Sequence, residues 1–123
     1  MTITLSPIAE YWDYTDAAPG IPPVGGGGDK DTDITADETW TGQINIMGSF
    51  QIRATVTIEP GTTVTWFGAF TITVASGGLV DVNGTESNQV KFRRLDTVSG
   101  KCEMSVTNGN IVSQWGNYYG VVP

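Results

Sequence analysis

The stretch Val56-Thr57-Ile58-Glu59-Pro60-Gly61-Thr62-Thr63-Val64-Thr65-Trp66 reads as two short strands and the turn between them. Val56 and Ile58 flank a threonine, Pro60-Gly61 breaks the pattern, and Val64 and Trp66 flank a threonine again. Side chains of an extended chain point to alternate faces, so each half has one apolar and one polar face. Working outward, Ile44/Ile46, Ile72/Val74, Val80/Val82 and Val90/Phe92 repeat this period of two. Turn signals fall between them at Gly77-Gly78, Asn83-Gly84 and Asn108-Gly109. No window carries a 3.6-residue apolar stripe bounded by caps, so the predicted class is all-β.

The stretch also repeats. Residues 57–66 match residues 73–82 at an offset of 16 positions, with the apolar residues, the turn glycine and the second strand coinciding. A third copy, Val106-Thr107-Asn108-Gly109-Asn110-Ile111-Val112, follows 32 positions after the second. Such self-similarity predicts stacked coils or serial hairpins.

Three segments together resemble the coils of right-handed parallel β-helix proteins: Val56 to Val64, then Ile72-Thr73-Val74, then Gly78-Leu79-Val80-Asp81-Val82-Asn83-Gly84-Thr85-Glu86-Ser87-Asn88-Gln89-Val90-Lys91-Phe92. The likeness spans about 37 residues, 56–92, and this chain has Gln89 where the family pattern carries proline. It implies a fold rather than a chemistry, and that fold occurs in phage tailspikes and decorations and in bacterial surface proteins. Two architectures stay open: a short β-helix or β-solenoid-like stack, and a compact β-sandwich or barrel built from serial hairpins.

Residues 1–38 have a different character. Pro7, Pro19, Pro22 and Pro23 and the run Gly25-Gly26-Gly27-Gly28 exclude a helix or a central strand. The expectation is an extended Pro/Gly-rich arm, 1–38, preceding a β domain, 39–123, that carries the 16-residue repeat. The arm's apolar residues come in islands, Ile3/Leu5/Ile8, Tyr11-Trp12-Asp13-Tyr14 and Ile21/Val24, which suit lying on a neighbour. The first residues, Met1 to Pro7, lack the basic and apolar regions of a secretory signal, and no run reaches the length of a membrane-spanning helix.

The 123 residues carry a net charge of -7 and no histidine. The acidity disfavours nucleic acid and anionic membranes as partners. The absence of histidine removes the commonest general base and catalytic metal ligand. One cysteine, Cys102, permits neither an internal disulfide nor a cysteine-based zinc site, and reads as a small buried hydrophobe. The carboxylates of the β region, Glu59, Asp81, Glu86, Asp96 and Glu103, fall into no pair suited to glycoside hydrolysis. No catalytic residue and no cofactor is therefore expected.

Asp29, Asp31 and Asp33 alternate as a calcium loop begins, but Ile34 stands where such a loop needs glycine and Trp40 where it needs glutamate. No metal site is expected; these three aspartates are the nearest approach to one, and an acidic linker is the simpler reading. The basic residues gather at Lys91, Arg93 and Arg94, as a salt-bridged surface or as a contact for an acidic arm of another subunit. Tyr11, Trp12 and Tyr14 in the arm and Trp115, Tyr118 and Tyr119 near the end are the aromatic candidates for an interface, or for closing the ends of a small core.

Together these features predict a non-enzymatic virion structural protein of a tailed phage. It would be a capsid decoration (cement) protein on the capsid surface, a homo-trimer contacting other virion proteins. The alternatives are an extracellular carbohydrate-binding or adhesive β module and a filament-forming subunit whose coil ends stack head to tail.

Overall fold

The computed structural model describes residues 3–5, 11–13, 28–95, 98–119 and 121–122, with side chains for those from 28 to 121. Among these residues there are strands and no helix. Four coils of three strands succeed one another. The first is β4 (Glu38–Trp40), β5 (Gln43–Ile46) and β6 (Phe50–Ile52); the second is β7 (Thr55–Ile58), β8 (Thr63–Trp66) and β9 (Thr71–Val74). The third is β10 (Leu79–Asn83), β11 (Val90–Arg94) and β12 (Cys102–Val106); the fourth is β13 (Asn110–Gln114), β14 (Gly116–Tyr119) and β15 (Val121–Val122). Before them come β1 (Ile3–Leu5), β2 (Tyr11–Asp13) and β3 (Gly28–Lys30).

Each strand pairs with its counterpart one coil away, and every ladder is parallel. The result is three sheets in the orders β1-β13-β10-β7-β4, β2-β14-β11-β8-β5-β3 and β15-β12-β9-β6. Parallel neighbours cannot be joined by a tight hairpin, and here the connection is the remainder of the coil. The fold is thus an all-β, solenoid-like parallel stack; the sandwich of serial hairpins is excluded because that arrangement needs antiparallel neighbours.

The period-two pairs face inward. Ile44, Ile46, Val56, Ile58, Val64, Trp66, Ile72, Val74, Val80, Val82, Val90 and Phe92 are all buried in one core cluster. The threonines between them face outward, Thr57 and Thr73 half-buried and Thr65 fully buried. Trp40, Phe50, Ile52, Met104, Val106, Ile111, Tyr118 and Val121 complete the core from positions where the alternating pattern is short or interrupted.

The 16-residue self-similarity is not the rung spacing. Val56 pairs with Val80, 24 positions on, and Val64 with Phe92, 28 positions on. Residues 57–66 and 73–82 are successive strand–corner–strand units of the winding chain. The second and third copies do stack, since Val74 pairs with Val106.

Corners hold the coils in register. Gly61 takes a φ of +81°, and its N–H donates to the Asn88 carbonyl of the next coil at 3.1 Å. The buried Thr62 hydroxyl bonds the Glu59 carbonyl at 2.7 Å and the Trp40 carbonyl of the preceding coil at 3.2 Å. At Gly78 a Cβ would stand 2.2 Å from the Ile52 carbonyl oxygen, so only glycine lets the chain pass so close to the coil below.

The segment 1–38 contributes strands to both ends of the stack. β3 pairs with β5 at the first-coil end, and Ile34 forms a parallel bridge with Ile52 there. β1 and β2 pair with β13 and β14 at the fourth-coil end. All three are outermost strands of their sheets, in keeping with a proline- and glycine-rich sequence that suits edges.

Candidate interaction surfaces

At the first-coil end the acidic stretch 29–38 lies across the stack as a polar lid. Trp40 is buried beneath it at 1 % exposure. Its Nε1 donates to Glu38 Oε1 at 3.0 Å, and Lys30 Nζ reaches the same oxygen at 3.0 Å. The ammonium also sits 5.9 Å from the Trp40 ring centroid, within cation–π range. Burial would raise the Glu38 pKa, but the Trp40 hydrogen bond and the Lys30 charge outweigh it and hold the carboxyl below its ordinary value.

The aspartates of this stretch accept hydrogen bonds from the first coils. Asn45 Nδ2 donates to Asp29 Oδ1 at 2.8 Å, the Gln51 N–H to Asp33 Oδ1 at 2.9 Å, and the Thr55 N–H to Asp37 Oδ1 at 3.0 Å. Asp33 and Asp37 thereby satisfy backbone donors at strand edges. Asp31 lies against Gly48, whose Cβ position is 3.1 Å from Asp31 Cβ. Among the described residues no three His, Cys, Asp or Glu side chains group as a metal site would need.

The outward face of the six-stranded sheet carries a register row of Asp29, Asn45, Thr65, Arg93 and Tyr119. Asn45, Thr65 and Arg93 are buried although they point away from the core. Lys91, two positions before Arg93, is exposed. Arg94 points the other way, half-buried, and its Nη1 donates to the Val98 carbonyl at 2.7 Å. The three basic side chains of 91–94 thus go to three different surroundings rather than forming one patch.

Of the aromatic candidates, Tyr118 belongs to the core: it is fully buried, stacks on Phe92, and shares a 2.8 Å hydrogen bond with Ser113. Tyr119 and Trp115 are half-buried. Trp115 has a φ of +52°, a left-handed conformation that is unusual for a bulky residue, at the corner between β13 and β14. Tyr11 and Trp12 fall in β2, where Trp12 is the register partner of Tyr118. Tyr14 lies outside the described residues. The sequence pattern held no sign that Tyr118 and Trp12 occupy adjacent rungs, since they lie 106 positions apart.

A shallow cleft of about 330 Å³ opens beside the third coil, lined by Thr63, Glu86, Ser87, Asn88, Gln89 and Lys91. The turn at its rim is closed by reciprocal Thr85–Asn88 backbone hydrogen bonds of 3.0 and 3.2 Å. Gln89 accepts a hydrogen bond from Asn117 of the next coil. Every side chain lining the cleft is polar, with one carboxylate and one ammonium, so it offers hydrogen bonds but no aromatic platform.

No family model matches this chain, and no significant match to it was found among curated proteins or among solved structures.

Proposed function

We propose that this protein is a non-enzymatic structural subunit of a virion, of the capsid decoration (cement) type. It acts by adding buried area across the joints between other subunits, with its copies grouped as a trimer. The observation that carries the reading is the way the stack ends. The sheets stop at edge strands β3, β4 and β6 on one side and β1, β2 and β15 on the other instead of closing on themselves. Strand edges present backbone donors and acceptors to whatever lies beside them, and they suit assembly better than turnover. The acidic composition and the absence of histidine support the same reading.

Immunogold labelling of particles released from the source culture tests it. Label arrayed on capsids is the expected result; label found only off particles would overturn the virion assignment.

The polar cleft favours a second reading, an extracellular carbohydrate-binding module. Glycan-array binding that is lost on Asn88→Ala together with Gln89→Ala would support this module over the capsid subunit.

A further inference from the structure

β1 and β2 stand at the fourth-coil end of the stack, whereas β3, the next described strand along the chain, stands at the first-coil end. β1 pairs Ile3, Thr4 and Leu5 with Ile111, Val112 and Ser113, and β2 pairs Tyr11, Trp12 and Asp13 with Asn117, Tyr118 and Tyr119. These ladders are backbone contacts on the outer edges of β13 and β14, and any segment with the same sequence satisfies them equally. Within one chain, Asp13 and Gly28 are separated by five strand-to-strand steps of the six-stranded sheet, about 24 Å at the usual spacing. The chain between them, residues 14–27, could span up to about 50 Å if extended. The reach is therefore sufficient to close on the same molecule and equally sufficient to close on a neighbour. Where the fourth-coil end of one copy faces the β3 end of another, one or two steps would suffice, about 5–10 Å. All ladders are parallel, so such an arrangement keeps the strand direction of both copies.

We propose that residues 1–13 are an exchangeable strand pair: β1 and β2 of one copy take the places of β1 and β2 on the β13–β14 edge of a second copy, joining the two by strand addition. Exchange loses no ladder, because each copy gives and receives the same two strands. Closure within one chain is favoured at low concentration by the tether, whose effective concentration is in the millimolar range, and exchange is favoured where copies are crowded. The inference rests on the assembly reading only in taking a second copy as the partner.

The test uses cysteines at the register partners Thr4 and Val112. Neighbouring parallel strands place these Cα atoms within disulfide reach. Thr4→Cys and Val112→Cys are introduced with Cys102→Ala, in the full chain and in one lacking residues 17–26. The shortened tether extends to about 18 Å at most, less than closure within one chain requires. After mild oxidation, masses are read on a non-reducing gel. We expect linked multimers from the shortened chain at all concentrations. From the full chain we expect internally bridged monomer when dilute and linked multimers at millimolar concentration.

Full-length protein that bridges only internally at millimolar concentration overturns the proposal, as does a folded shortened chain that yields no linked multimer. Should the shortened chain fail to fold, the millimolar sample decides alone. Capsids that carry the label together with a chain that bridges only internally would sink the exchange and leave the decoration reading. Multimers without capsid label would do the reverse.

Discussion

The ring of Phe92 lies against that of Tyr118 on the next rung, with centroids 4.6 Å apart and planes within 1° of parallel. Trp66 continues the cluster one rung back, 6.4 Å from Phe92 and tilted by 54°. These rings fill the interior of the stack on three successive coils. Tyr118→Ala is expected to cost about 3–5 kcal/mol, the range for emptying a buried aromatic site. Tyr118→Phe, which keeps the ring and removes the hydroxyl that bonds Ser113, should cost about 1 kcal/mol. Urea denaturation midpoints at constant slope check both.

Gly78 and Gly42 separate close approach from backbone strain. A Cβ at Gly78 would overlap the Ile52 carbonyl, while one at Gly42 would meet nothing within 4 Å but would occupy a φ of +67°. Gly78→Ala is expected to destabilise by roughly 3 kcal/mol as the corner before β10 is forced away from Ile52 of the first coil. Gly42→Ala should cost about 1–2 kcal/mol. Equal shifts in thermal denaturation of the two variants would contradict this ordering.

Glu38 links the lid to acid stability. Its carboxyl is held below the ordinary value, so it favours the folded state above the unfolded pKa and loses that effect as the pH falls through the folded one. Glu38→Gln should therefore be less stable than the parent chain at neutral pH. The gap should narrow as the pH drops below 4.5, the ordinary glutamate value. Melting temperatures across pH 3–7, with a parallel series for Glu86→Gln as an exposed control, give the comparison.

Cys102 is 1 % exposed, and its thiol points to the Gly68 carbonyl at 3.4 Å. Burial pushes its pKa up, and the nearby Arg94 only partly opposes this. Little thiolate is present near neutrality, and reagents cannot reach it. Labelling by a thiol-reactive chromophore should be slow in buffer and complete within minutes in denaturant. Rapid labelling of the folded protein would show that β12 opens locally.

Asp33 and Asp37 act as acceptors for the edge N–H groups of Gln51 and Thr55. Alanine at either position should cost about 1 kcal/mol. Millimolar Ca²⁺ should leave the melting temperature unchanged. A calcium-dependent rise, abolished by Asp31→Asn, would instead identify a cation site in the lid.

The strand class of this protein is written into its sequence, because the alternation of apolar residues with threonine is a local property of an extended chain. The pairs from Ile44/Ile46 to Val90/Phe92 could be placed inside from their spacing alone, and Cys102 from its chemistry. What pairs with what was not legible. A β-ladder is made by backbone groups common to all residues, and the coils differ in length, so the 16-residue likeness between 57–66 and 73–82 marks successive strands rather than stacked ones. The burial of Arg93 on an outward face, the sharing of the Glu38 oxygen by Trp40 and Lys30, and the arrival of β2 beside Tyr118 likewise depend on which edges meet in space. Side-chain alternation is set residue by residue, whereas the closing of edges is set by the whole stack. That is why composition and periodicity determined an all-β chain and its core, and only the tertiary structure decided that residues 3–5 and 11–13 complete the far end of it.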